Sequence, residues 1–273
     1  MEDLTIVDKI CLYVSEFNYL FGVINYNYDP KSTVTLENLF INTTKEYDQI
    51  QIKLRYNLIK EESFELVDAF EQLDSIEIID SLCDILYVSA GAKVYFNLSN
   101  DLINKQLLNE NLDKKTLEFD SLNENSFDLI KPTIISNESK FEELVEKLKY
   151  LLLELQNQTE DIIREHEIFD KNIISKYSNI LDEIIYLVFK ISDYLSLNIY
   201  ELFVIVHKSN MTKICPDLDT AIKTVEWYKL NELRYPSPNF REIEYNNKKY
   251  WVIYDEQTNK ILKSIDYYPA RFI

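Results

Sequence analysis

The first apolar positions, Ile6, Ile10, Leu12, Val14, Phe17 and Phe21, recur mostly every three to four residues and stop at Gly22. That is the pattern of an amphipathic helix closed by a residue free to turn left-handed. After a loop over "NYNYDPKST", the run "LENLFINTTKEYDQIQIKLRYNLIKEESFELVDAFEQLD" predicts one or two further helices. The next run, "SIEIIDSLCDILYVSAGAKVYFNL", sets Ile79, Leu82, Cys83, Leu86, Ala90 and Val94 on one side of another. Between them "LDS" offers a cap and a short turn, so these two helices are expected to run antiparallel.

From residue 99 to 140 the chain becomes rich in Asn, Asp, Ser and Lys with scattered Leu, and reads as an insertion that is partly loop. Helical periodicity returns in "KFEELVEKLKYLLLELQNQTEDIIREHEIF" and in "SKYSNILDEIIYLVFKISDYLSLNIYELFVIVHKSNMTK", which supply further bundle helices. A faint internal echo links "DILYVSAGAKVYF" from Asp84 with "EIIYLVFKISDYL" from Glu183, and "FELVDAF" with "FEELVEKL". It fits a degenerate second helix pair as well as a chance likeness of two Leu/Ile/Tyr-rich helices. Near Pro216 a last helix begins, and "REIEYNNKKYWVIYDEQTNKILKSIDYY" reads as three short strands joined at Asn246-Asn247 and "EQTNK". The expected organisation is residues 1–98 as the first part of a helical bundle, 99–140 as the insertion, 141–214 as further bundle helices, and 215–273 as a helix with a small β meander. The fold class is mainly α, an antiparallel helical bundle.

Composition sharpens this. Two glycines and six prolines in 273 residues leave few tight turns, and 46% hydrophobic residues are ample for a core. Forty-seven acidic against 29 basic side chains give a net charge of -18, which argues against a nucleic-acid partner, since phosphate backbones are met by clustered Lys and Arg. A small anionic substrate remains compatible if bound cations invert the local field. Cys11, Cys83 and Cys215 have no CxxC spacing, no leader pattern opens the chain, and no apolar run is long enough to span a bilayer. A soluble protein of a reducing cytoplasm is expected, with no membrane partner.

Against that background one acidic cluster stands out. In "EESFE", Glu61 and Glu65 are four apart and Glu62 and Glu65 three apart, so all three carboxylates can project to one side of a helix. Alone, the motif is also the pattern of a solvated acidic face. On the following helix Asp80 and Asp84 are again four apart, and Asp84 lies inside a stretch that is apolar on most sides. A carboxylate there needs a partner or a metal. Hard oxygen donors in this number suit Mg2+, with Mn2+ as a substitute, better than zinc. Cys83 is one residue off the acidic face and is expected in the core.

"EESFE" followed by "DSLCDILYVSAGA" resembles the metal-binding signature of the all-α nucleotide pyrophosphohydrolases, the group of the MazG proteins, phosphoribosyl-ATP pyrophosphohydrolase and the dimeric dUTPases. There an "EExxE" on one helix and an "ExxD" on the next bind Mg2+. "LIKEE", "DILYVSAGA" and "VHKSNMTK" resemble the phosphoribosyl-ATP pyrophosphohydrolase-like branch of phages and large viruses, over about residues 5–98 and 180–270. The resemblance implies a MazG-like bundle and a Mg2+-dependent enzyme that converts a nucleoside triphosphate to the monophosphate and pyrophosphate. Glu61, Glu62, Glu65, Asp80 and Asp84 would be its metal ligands, with Glu61 and Glu62 catalytic. It also implies a homo-oligomer acting in nucleotide-pool cleansing, in the host cytoplasm if the chain is viral.

One departure is plain. Ser81 stands where the first acidic residue of "ExxD" belongs, so Asp80 completes the set one position earlier, with Glu77 as the alternative. Asn210 and Lys213 are expected at the substrate by resemblance, although Lys, His and Asn also suit a plain helix C-terminus. Lys60 is added to the substrate side, with Lys53 and Arg55 as further upstream cations and Lys208 beside Asn210 and Lys213, while His207 reads as structural. Two other functions stay open: phosphoribosyl-ATP pyrophosphohydrolysis, and a non-catalytic helical interaction protein.

Overall fold

Thr5 and Asp8 close a capping box, and from it α1 (Ile6–Leu20) runs to Gly22, whose φ of 64° ends the helix as the sequence pattern predicts. The structure, a computed structural model, describes residues 4–24, 45–121, 124–164, 171–245 and 247–272. The expected "NYNYDPKST" loop and the start of the next helical run lie outside the described residues.

Next come α2 (Lys45–Gln72) and α3 (Ser75–Tyr95), joined by a turn in which Asp74 accepts hydrogen bonds from the backbone N–H groups of Ile76 and Glu77. This is the cap expected from "LDS". Residues 99–140 form helices where loop was partly expected: α4 (Asp101–Asn109), α5 (Leu112–Glu118) and α6 (Glu124–Ser136). The reason is apolar: Ile103, Leu107, Leu112, Ile130 and Ile134 all enter the core, and burial outweighs the polar composition between them. Two long helices follow, α7 (Glu138–Arg164) and α8 (Lys171–Tyr194), then α9 (Ile199–Asn210) with a 3-10 turn over Met211–Lys213, and α10 (Leu218–Asn231).

α2 and α3 pack as one antiparallel pair and α7 and α8 as another; α2 lies on α7 and α3 on α8, so the four form a bundle within the chain. α1 and α9 close over the remaining side of α3. A smaller cluster around Cys215, Ala221, Val225 and Ile253 seats α10 on a hairpin of β1 (Pro238–Tyr245) and β2 (Lys248–Asp255). The strands pair antiparallel from Pro238 with Asp255 to Tyr245 with Lys248. The third strand of the expected meander is reduced to a single bridge between Tyr254 and Ile261. Asp255, fully buried, accepts from the N–H groups of Ser237 and Thr258 and from the Thr258 hydroxyl, and this folds residues 255–260 into a tight turn before the tail crosses back over the bundle. Cys11, Cys83 and Cys215 are buried free thiols, and no helix among the described residues is long and apolar enough to cross a membrane.

Where α3 meets α8 the core contains an ion pair. Lys93 Nζ lies 2.5 Å from Asp182 Oδ1 and donates to the Ser99 carbonyl at 2.8 Å, with both side chains essentially inaccessible to solvent. Burial pushes the Asp182 carboxyl up while Lys93 pulls it back. Removing one partner leaves the other charge desolvated and alone. Lys93→Met should therefore lower unfolding stability by about 3–5 kcal/mol, and Lys93→Met with Asp182→Leu should recover most of that loss, as read by urea denaturation.

Candidate active site

Between Ile78 and Phe96, α3 is buried at every position but three: Asp80, Asp84 and Val88. These are four residues apart, so they form one stripe along the helix. Across the antiparallel pair, α2 sets Glu61, Glu62 and Glu65 opposite that stripe. Ser63 and Leu66, on the core side of the same turns, are wholly buried. A recess opens here, with Glu62 and Asp84 at its acidic end beside Lys213 and Lys260. Its other wall comes from α1 and α9, with Val14, Phe17, Asn18 and Asn210 around Tyr87.

The electrostatics of the recess are those of crowded charge. Burial, then the charges of Asp84, Glu65 and Glu61, push the Glu62 carboxyl up to about 9. Burial and Asp80 push Asp84 up to about 7, against the pull of Lys213 and Lys263. Asp80 is raised by burial, with Lys263 opposing and Glu65 adding to the shift. Burial also lowers Lys213 to about 8, although Asp84 favours its charged form. At the rim Lys260 Nζ donates to Glu61 Oε2 at 2.8 Å in a direct ion pair.

Burial and the neighbouring carboxylates thus favour the protonated forms of Glu62, Asp84 and Asp80. The donor set fits Mg2+ in kind, since it is several carboxylate oxygens from two facing helices with no soft ligand among them. Cys83, adjacent in sequence, is fully buried and its thiol is pushed far up. Among the described residues no three His, Cys, Asp or Glu side chains close around one point. Glu61 is turned to Lys260, and Glu62 is hydrogen-bonded to Glu65.

On the apolar wall, Phe17 stacks on Phe21 with ring centroids 4.0 Å apart and meets the edge of Tyr87 at 5.6 Å. Tyr87 is hydrogen-bonded to Asn210, and its hydroxyl lies 3.1 Å from His207 Nδ1. His207 is thereby a core residue, its charged form disfavoured by burial. Asn18 is only 3% exposed, and its Nδ2 has no hydrogen-bond partner among the described residues.

The structure brings together Glu61, Glu62, Glu65, Asp80, Asp84, Asn210 and Lys213. Glu77 is exposed one turn outward, beside Asp74 and Asp80. Lys60 does not join the cavity: it projects from the outer face of α2, 5.8 Å from the centre of the Tyr56 ring and 6.0 Å from that of Phe64. Lys53 and Lys208 are likewise exposed, whereas Arg55 is buried, lines the cavity and lies 5.0 Å over the Tyr95 ring. Sequence reasoning missed Lys260, Lys263, Phe17 and Asn18. The first two sat in segments read as a turn and a strand, and the other two in an ordinary helical pattern, so no local signal marked them.

The sequence family described as phosphoribosyl-ATP pyrophosphohydrolase matches residues 35–111, a span that contains every carboxylate of the cavity. An uncharacterized protein of Acanthamoeba polyphaga mimivirus is 31% identical over 272 residues, covering 97% of this chain and 95% of that protein. No solved structure matches the chain.

A carboxyl that binds its proton more tightly folded than unfolded gives stability that is complete below the ordinary carboxylate range and lost as pH rises through its folded value. Because Glu62 titrates near 9 in the folded chain, the chelator-treated protein should lose stability between about pH 5 and 9. Glu62→Gln should flatten that slope and stabilise the chelated protein at pH 8.5 by on the order of 1–3 kcal/mol. Urea midpoints at pH 5.5 and 8.5 in EDTA check both.

Proposed function

The chain belongs to the MazG-like, all-α nucleotide pyrophosphohydrolase superfamily, and on that premise we propose that it is a Mg2+-dependent nucleoside triphosphate pyrophosphohydrolase, converting (d)NTP to (d)NMP and pyrophosphate. The observation that carries the reading is the recess in which Glu62 and Asp84, from different helices, face Lys213 with their carboxyls held far above the usual range. Such a site is balanced by taking up divalent cations together with a polyphosphate.

Glu61, Glu62, Glu65, Asp80 and Asp84 would hold Mg2+ or, in its place, Mn2+. When bound, the cation neutralises triphosphate charge and acidifies a water. Glu62, assisted by Glu61, orients the attacking water and takes its proton at a carboxylate oxygen. The water oxygen bonds to the α-phosphorus as the bond from that phosphorus to the α,β-bridging oxygen breaks, and pyrophosphate leaves with the bridging oxygen. Lys213 meets the phosphates from the opposite wall. Asn18 and Asn210, beside the Phe17 ring, form the end that receives base and sugar. Clearing unwanted nucleotides from the pool is the role that this reaction suits.

The description of the matched family favours phosphoribosyl-ATP as a second substrate for the same site and the same chemistry. A screen of pyrophosphate release with Mg2+ over canonical and damaged nucleoside triphosphates and phosphoribosyl-ATP decides between them, and a chain inert toward all of them refutes both. With the preferred substrate, Glu62→Gln should lower kcat by about 10²–10⁴-fold, the usual contribution of a general base, while far-UV circular dichroism stays unchanged. Asn18→Ala should raise KM for that substrate by roughly tenfold with a smaller effect on kcat, because a charge-free amide contact contributes on the order of 1 kcal/mol.

A further inference from the structure

The turn after β2 is more rigid than a surface loop needs to be. Asp255 is 0% exposed and uses both carboxylate oxygens to fix it, and Asp255 N donates to the Lys260 carbonyl at 3.0 Å. The Leu262 N–H then donates to the Ile253 carbonyl at 2.9 Å, which ties the following residues to β2. What this turn presents is Lys260, at the mouth of the acidic recess and paired with Glu61. Lys263 follows three residues later and acts on Asp80 and Asp84. A rigid mount for a flexible cation calls for a reason.

Stability does not supply it. The Lys260 and Glu61 side chains remain 25% and 40% exposed, and ion pairs in that setting contribute little. Glu61 also belongs to the carboxylate set that would take the metal, so the pair and the metal compete for the same oxygens. The ammonium sits on a flexible four-carbon stem, with Glu62, Asp84 and Lys213 lining the same cavity.

We infer that Lys260 is a counter-ion that changes partners: it holds Glu61 in the metal-free protein and passes to the substrate's phosphate oxygens when divalent cation takes the glutamate. The inference rests on the pyrophosphohydrolase reading of the site and adds a phosphate-binding residue from a segment beyond the matched family span. No bond is made or broken in the exchange. One charge moves from carboxylate to phosphate, so a lysine that opposes metal binding becomes one that favours the metal–nucleotide complex.

The two halves have opposite signs, which a structural role would not produce. Isothermal titration of MgCl2 into nucleotide-free protein should show Lys260→Met binding Mg2+ about two- to fivefold more tightly than wild type, the loss of an exposed ion pair as competitor. Titration of an α,β-imido deoxynucleoside triphosphate in saturating Mg2+ should show the same variant binding roughly 10–100-fold more weakly, the loss of a charge-assisted contact. Lys260→Arg, which keeps the charge, should restore most of the nucleotide affinity, and thermal melts confirm that each variant is folded. Unchanged or weaker Mg2+ binding by folded Lys260→Met, or unchanged analogue binding, overturns the exchange while leaving the pyrophosphohydrolase reading intact. Absence of both Mg2+ and analogue binding in wild type overturns that reading and the exchange with it.

Discussion

The requirement that shapes this protein falls on α3, which is the central helix of the bundle and one wall of the acidic recess at once. Packed by α1, α2, α8 and α9, it leaves only the stripe of Asp80, Asp84 and Val88 half-buried between Ile78 and Phe96. A carboxylate one position off that stripe would enter the core, at a cost of several kcal/mol unless paired. Ser81 shows the consequence: it is 2% exposed and stands where the familiar "ExxD" spacing would set an acid. Asp80, one residue earlier and a full turn from Asp84, keeps to the half-buried stripe, within the influence of Glu65 and Lys263. Close packing and site geometry are thus settled by the same helical register.

The acidic stripe in turn dictates what surrounds it. Carboxylates at Glu61, Glu62, Glu65, Asp80 and Asp84 repel one another, and at least two of them titrate well above their ordinary range. The chain answers with lysines from a distant part of the sequence: Lys213 after α9, and Lys260 and Lys263 on the tail. That tail is held by the Asp255 turn and by Ser209, whose hydroxyl lies 2.8 Å from the Tyr267 hydroxyl and 2.7 Å from the Tyr268 carbonyl. The small α10–hairpin unit is therefore a mount that brings positive charge to a negative cavity.

Much of this was legible in the sequence because it is periodic. Apolar spacing gave α1 and α3 with their ends and placed α8 and α9 in one unbroken helical run, and the spacing of Glu61, Glu62 and Glu65 against Asp80 and Asp84 set two acidic faces on adjacent helices. What escaped was contact between residues far apart in the chain. Lys260 is 199 residues from Glu61, and nothing local to "EQTNK" distinguishes it from any polar turn. Asn18 lay on the polar side of an ordinary amphipathic pattern, and its meaning comes only from the recess it lines. Lys60 illustrates the opposite error: adjacent to Glu61 in sequence, it is rotated by about 100° around the helix and points away. Local spacing specifies which side chains share a face, and long-range packing decides which faces meet.

The α7–α8 pair differs from α2–α3 in what it places at the acidic positions. Its burial follows that of α2–α3 closely: Ile59 and Leu66 answer to Leu148 and Leu155, and Leu82, Leu86 and Lys93 to Leu181, Ile185 and Ser192, all buried. At that register Leu151 stands in the place of Glu62 and Asn179 in the place of Asp80. Glu183, in the place of Asp84, is already satisfied, 2.8 Å from Lys147 and accepting from Gln106 at 2.7 Å. A four-helix bundle is thus completed inside one chain by a pair that keeps acids only at Glu154, in the place of Glu65, and at the paired Glu183. A second set of close carboxylates would need its own lysines, in a protein that already carries eighteen more acidic than basic side chains. The second pair therefore contributes packing, and through Asp182 it supplies the buried partner of Lys93 that locks α3, and with it the acidic stripe, in register.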